Sequence, residues 1–306
     1  MHQTSLLRGA TAALFAAGLL GCASHDAAPL MVPVTTTSSS TATSTVTTPP
    51  LAPLSRDQIQ ALVDSPDRTP ADRTNDARRH PVDLLTFIGA KPGWTALDVS
   101  TGGGYTTELL ARAIGPTGLV WAQSRPRNPN AMPAAPAQPE GGGAAPAAAP
   151  ASPPRSTADV LADRSARMKA AGVPAAPIAY AALPFDNPVP PEAVGKLDLV
   201  TLMFNYHDFG WIAVDRAQMN RAIFAALKPG GVYVIADHAG RAGTGISESG
   251  TLHRIEESFL RSEVQAAGFR LIAEGNFLRN PNDPRDRNAP DPAQPKDEFV
   301  LKFVKP

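Results

Sequence analysis

The residues best suited to chemistry in this chain stand at the ends of apolar runs. Asn205-Tyr206-His207-Asp208 follows the run Leu197 to Phe204, Asp237-His238 follows Val232 to Ala236, and His253-Arg254 with Glu256 opens the next helix. Neutral imidazole titrates near pH 7, so such a group can take a proton from a nucleophile or orient a substrate. His207 is the first candidate for a catalytic base, with Asp208 or Tyr206 orienting it or the substrate, and His238 is the second. The competing reading is that these histidines satisfy loop backbones at strand ends. His207, His238 and Asp237 are also acceptable metal ligands, but their spacing matches no compact motif and no metal is expected. His80 lies in an N-terminal helical segment that could cover the same pocket. Arg78 and Arg79 beside it could meet a carboxylate, although charges on a helix surface are more often solvated.

A different chemistry is suggested by Leu97-Asp98-Val99-Ser100-Thr101-Gly102-Gly103-Gly104-Tyr105. Here an acid closes a strand, and glycines let the backbone come close to a ligand at a helix N-terminus. A glycine cluster that merely makes a tight turn is the alternative. The chain contains no HExxH, GxxxxGK[S/T], paired CxxC or GxSxG, so the commonest signatures of zinc proteases, P-loop enzymes and serine hydrolases are missing.

These residues need a scaffold whose strand ends lie side by side. Asp67 to Gly89 has helical composition broken at Pro81, and Pro81 suits the first turn of a second helix carrying Leu84, Leu85 and Ile88 on one face. Trp94 to Val99 then reads as a strand, and Leu109, Leu110 and Ala113 as a helix ended by Gly115-Pro116. Strands at Leu119 to Ala122, near Ala176 to Ala181, and at Leu197 to Phe204 alternate with a helix around Val160 to Met168. Met219, Ala222, Ile223 and Ala226 line another helix before a buried strand, Val232 to Ala236, that starts directly after Lys228-Pro229-Gly230-Gly231. Leu252, Ile255 and Phe259 share one face of a helix closed by Gly268, ahead of strands at Phe269 to Ile272 and Glu298 to Val304. Alternation of this kind predicts an α/β fold of about seven strands, mostly parallel, with helices on both faces.

The remaining segments are read from composition. An apolar run from Ala10 to Leu20 after Arg8 is too short to span a bilayer and reads as a signal sequence. It ends in Leu19-Leu20-Gly21-Cys22, which resembles the bacterial lipobox and marks Cys22, the chain's single cysteine, as the lipidation site. Residues 1–22 are thus expected to be the signal and 23–56 a disordered Ser/Thr/Pro tether, leaving 57–306 as the folded domain. Residues 125–156, rich in Pro, Ala and Gly, read as an insertion after the second strand. The expected location is the periplasmic side, held to the membrane by the lipid anchor alone. With 28 basic and 28 acidic residues, no net field recruits nucleic acid, and a small-molecule partner is expected.

The glycine turn together with Leu227-Lys228-Pro229-Gly230-Gly231 resembles class I S-adenosylmethionine-dependent methyltransferases. Asp76-Ala77-Arg78-Arg79-His80-Pro81 and Tyr105-Thr106-Thr107-Glu108 resemble in particular a group of bacterial predicted methyltransferases, several with export signals. The likeness covers roughly residues 67 to 306. It implies a Rossmann-like seven-stranded methyltransferase fold with S-adenosylmethionine as cofactor. Asp98, Gly102 and Gly104 match the family's turn, Ser100 replaces its usual first glycine, and Asn205 follows the fourth strand beside them. Where the family commonly places a ribose-binding acid, this chain has Gln123 or Ser124, of which Gln123 could bond a ribose hydroxyl as a neutral group, and Tyr180 to Phe185 offers no acid for the adenine. Methyl transfer to an unidentified acceptor is the function this implies. The alternative is an exported, non-catalytic Rossmann-like ligand-binding module, because charged S-adenosylmethionine crosses a bilayer only at high cost.

Overall fold

The computed structural model describes residues 52–126, 155–290 and 292–306. The expected signal, lipidation site and nearly all of the tether, together with residues 127–154 of the insertion, lie outside these. Ser55 caps the first helix, α1 (Arg56–Val63), in a capping box closed by Gln58, and Ile59 and Val63 are buried. Helices α2 (Pro70–Arg79) and α3 (Pro81–Ile88) each open on a proline, where no intrahelical amide donor is needed. His80 joins them with φ 44°. Then come β1 (Thr95–Val99), α4 (Tyr105–Ile114), β2 (Leu119–Ser124), α5 (Thr157–Ala170), β3 (Ile178–Ala182) and β4 (Leu197–Met203). The chain continues through a short α6 (Asp208–Trp211), α7 (Arg216–Ala226), β5 (Leu227–His238), α8 (Ser249–Leu252), α9 (Glu257–Ala266), β6 (Arg270–Gly275) and β7 (Glu298–Val304). Among the described residues, no helix is long and apolar enough to cross a membrane.

The strands form one sheet in the order β3-β2-β1-β4-β5-β7-β6. β7 runs antiparallel to both neighbours, and the other pairs are parallel. This is the expected Rossmann-like seven-stranded arrangement. Alternate side chains of β5 serve opposite faces: Val232, Val234 and Ala236 join the core under α3 and α4, whereas Tyr233 and Ile235 join the core under α7 and α9. The sheet order reverses between β1 and β4, and the crevice outside the carboxyl ends of strands at such a reversal is where open α/β sheets bind ligands.

One local expectation is refined and another corrected. Lys228-Pro229-Gly230-Gly231 falls within the bounds of β5 but loops out of its pairing: Leu227 pairs with Leu197 and Val232 with Leu199, and Gly230, at φ 77°, donates to the Lys305 carbonyl at 2.8 Å. The single helix expected through Leu252, Ile255 and Phe259 is broken into α8 and α9. Ile255 donates to the His238 carbonyl (3.1 Å) and accepts from the Gly240 amide (2.8 Å), and backbone groups that bond a strand exit cannot also bond along a helix. Gly240 is required there, since a Cβ would stand 2.9 Å from the Ile255 carbonyl carbon. His253 and Arg254 therefore sit in the break and do not open a helix.

α5 is fastened over the glycine turn by a buried ionic collar. Glu108 of α4 accepts from Arg112, from Arg164 (2.6 Å) and from Arg167 (2.7 Å), and Arg164 also pairs with Asp72 of α2 at 2.8 Å. Arg112 closes the collar on Asp67.

Candidate active site at the carboxyl ends of β1 and β4

The glycine turn leaves β1 through Ser100 (φ 57°), Gly102 (φ 53°) and Gly104 (φ 75°). Each holds a left-handed backbone, which glycine adopts freely and serine rarely does. A Cβ on Gly103 would meet nothing within 4 Å, so there is open space beside the turn, and α4 starts there without a side-chain cap. Unsatisfied amides at such a helix start favour an anionic group. Gly104 has another reason to be glycine: its Cβ would lie 2.7 Å from Leu161 of α5. Arg164 also donates to the Gly103 carbonyl at 2.7 Å.

Asp98 lies beneath the turn rather than in the crevice. It is buried, accepts from Thr107 (2.6 Å) and Thr201 (2.7 Å), and so ties β1 to α4 and β4. Burial pushes its carboxyl up against the pull of those hydroxyls. Gln123 is likewise fully buried, accepting from the Ser100 amide at 3.0 Å and donating to the Leu183 carbonyl at 2.6 Å. Both ends of its amide are thus bonded within the protein. At the exposed end of the same two strands, Ser124 and Tyr180 share a hydroxyl pair at 2.7 Å. We expect Gln123→Glu, which restores an acid there, to cost about 1–3 kcal/mol, because a carboxylate would face the Leu183 carbonyl without a donor. Denaturant unfolding measures this, and an unchanged midpoint would mean that the side chain is free to turn into the crevice.

The polar cluster follows β4. Phe204 leaves the strand with φ 61°, and the next residues turn inward. His207 Nδ1 bonds Asp237 at 2.5 Å, its amide donates to the other Asp237 oxygen at 2.7 Å, and its Nε2 stands 3.1 Å from Asp208. Burial opposes charge on this ring, but Asp237 and Asp208 outweigh it and push its pKa up to about 10. The ring is held between two carboxylates, Asp237 on one nitrogen and Asp208 on the other. Asp208 stays well below the usual carboxylate range because the His207 hydrogen bond and charge outweigh its burial. The same Asp208 oxygen meets His253 Nδ1 at 3.0 Å and Trp211 Nε1 at 3.2 Å.

Asn205 connects cluster to turn. Its amide nitrogen donates to Asp208 at 2.9 Å, and its oxygen accepts from Ser100 at 3.2 Å. Tyr206 does not orient His207; it is buried the other way, bonded to Glu263 and Asn220. His238 is buried with its ring 5.3 Å from that of His207 and its Nδ1 3.0 Å from Glu298. Glu298 also takes Arg78 at 2.9 Å, so that arginine is engaged within the chain. Arg79 lies over the Phe204 ring at 4.3 Å, and Tyr105 donates to Asp76, which places the end of α2 across the ends of β1 and β4. His80 is outside the cluster, its nearest acid being Asp83 at 3.8 Å.

Three participants carried no local signal in this role. Asp237 was read beside His238 and as an acceptable metal ligand but not as the partner of His207, Glu298 enters through the antiparallel register that sets it opposite His238, and His253 arrives through the break before α9.

No family model matches the chain, and no curated protein matches it. Among solved structures it is similar to a SAM-dependent methyltransferase from Aquifex aeolicus, at 15% identity over 83% of this chain and 100% of that one, TM-score 0.48. It is similar at 15% identity to the [4+2]-cyclase SpnF, over 74% of this chain and 82% of that one, TM-score 0.48. A TehB-like SAM-dependent methyltransferase from Corynebacterium glutamicum shares 15% identity over 78% of this chain and 100% of that one, TM-score 0.42.

Proposed function

We propose that this chain transfers a methyl group from S-adenosylmethionine to a small-molecule acceptor. The observation that carries the reading is the adjacency, at the reversal point of the sheet, of an open glycine turn and a polar cluster bridged by Asn205. The residues present fit the amino-acid end of the cofactor: Ser100, Gly102, Gly103 and Asn205 surround the open space at the start of α4. Its ribose would meet the Ser124 and Tyr180 hydroxyls, with Gln123 bracing the turn from behind. Replacing a charged acceptor by neutral ones weakens binding by about 1 kcal/mol. When bound, S-adenosylmethionine supplies an electrophilic methyl group on a sulfonium. The protein's share is mainly placement of the acceptor, the largest lever in such a transfer. Asp208 and His253 are the partly exposed groups of the cluster and face the acceptor, while His207 and Asp237 hold Asp208 in place from the buried side.

Calorimetric titration of the full chain with S-adenosylmethionine and its demethylated product tests this. We expect micromolar binding that Gly103→Val weakens at least about tenfold, a loss of roughly 1.4 kcal/mol. That substitution puts a side chain into the open space, where its Cβ meets nothing within 4 Å. No binding at millimolar ligand would sink the methyl-transfer reading and leave the non-catalytic module. Unchanged affinity in the variant would move the site away from this turn.

A further inference from the structure

We infer that His207, Asp208 and His253 form a binding site for a divalent first-row transition-metal cation at the carboxyl end of β4. One ligand atom from each residue lies within 4.8 Å of the others. The two imidazole nitrogens converge on a single carboxylate oxygen, at 3.1 Å from His207 Nε2 and 3.0 Å from His253 Nδ1. Ligand atoms bound at about 2.0–2.1 Å to one tetrahedral ion stand roughly 3.3–3.4 Å apart, so both contacts with Asp208 need to open by only a few tenths of an ångström. The two imidazoles would have to draw somewhat closer to each other. His253, the more exposed of the two imidazoles, is the one with room to turn.

The surroundings are those of a metal site in three respects. Asp237 holds the far nitrogen of His207, which fixes Nε2 toward the cluster in the carboxylate–histidine–metal arrangement, and an ion taking Nε2 releases to solvent the proton that the ring shares with Asp208. Asn205 holds the second oxygen of Asp208, so that the first, which also accepts from Trp211 Nε1 at 3.2 Å, is the one turned to both imidazoles. The backbone of His253 is kept left-handed at φ 50°, a conformation that residues with a side chain seldom adopt and that gathers at functional sites. Two nitrogens and one carboxylate suit zinc, cobalt or iron rather than magnesium or calcium.

With Asp208 a quarter and His253 over a third exposed, three protein ligands leave coordination positions open to solvent, as catalytic sites do and closed structural sites do not. Trp211 stands at the rim, 58% exposed, and offers an apolar face to whatever fills them. One consequence rests on the methyl-transfer reading: an open position would take an oxygen or nitrogen of the acceptor, one residue away from the glycine turn. The site itself stands without that reading.

The test uses the full chain, stripped with a chelator and titrated with Zn2+ by calorimetry and with Co2+ by visible absorption. We expect one ion whose affinity falls at least about tenfold in Asp208→Asn and in His253→Asn, and about 10–100-fold in Asp237→Asn. Asparagine tolerates the left-handed backbone at position 253, and neither of the first two variants touches the core. No uptake, or uptake that Asp208→Asn and His253→Asn leave unchanged, would overturn the inference and reduce the cluster to hydrogen bonds. S-adenosylmethionine titrated into the same stripped samples separates the two readings. Zn2+ uptake without cofactor binding upholds the metal site and overturns methyl transfer, whereas cofactor binding without Zn2+ uptake does the reverse.

Discussion

Asp237→Ala is expected to destabilise the protein by about 3–5 kcal/mol, because it removes the buried, charged acceptor that three donors share. Those donors are the His207 amide (2.7 Å), the His207 ring (2.5 Å) and the His238 amide (2.8 Å), and Asp237 itself has no exposed surface. Alanine opens no route for water to replace them. Asp237→Asn keeps one acceptor oxygen and places an amide N–H against another donor, so it should cost less, about 1–3 kcal/mol. Denaturant unfolding of the two variants gives both numbers. A cost below about 1 kcal/mol for the alanine variant would show that the loops after β4 and β5 re-pair their amides without the carboxylate.

Glu108→Ala should be comparably severe, about 3–5 kcal/mol, since it removes the buried partner that Arg112, Arg164 and Arg167 share and leaves Arg112 to Asp67 and Arg164 to Asp72 alone. Its effect should reach the glycine turn, because Arg164 joins the collar to the Gly103 carbonyl. The collar also predicts a pH dependence. For Asp72, burial opposes ionisation but the Arg164 and Thr69 hydrogen bonds outweigh it; for Asp67, Arg112 and Ser65 do the same. Both carboxyls therefore sit below their ordinary range in the folded chain. Their contribution is complete above the unfolded value of about 4 and is lost as pH falls through the lower folded values. Thermal melts of the wild type should fall as pH drops below about 4, and Glu108→Ala should have lost much of that collar already at neutral pH. A variant as stable as the wild type at pH 7 would mean that the three arginines are solvated by rearrangement of α5.

Much of this architecture was legible without coordinates, and the reason is local. Short apolar runs, the prolines that start α2 and α3, and the glycines that end α3 and α4 all act within a few residues, so strand, turn and helix could be placed in order. The glycine turn, and the position of His207 and Asp208 just past a buried strand, follow from the same short-range rules. Tertiary structure alone decided which strand ends lie together. Pairing of β1 with β4 brings Ser100 to Asn205, pairing of β4 with β5 brings Asp237 to His207, and antiparallel β7 brings Glu298 to His238. The roles assigned to Gln123, Tyr206 and His253 changed for the same reason. A side chain's chemistry is set by the groups opposite it, and here those groups come from strands and loops far away in the chain: Leu183 for Gln123, Glu263 for Tyr206, and Asp208 for His253.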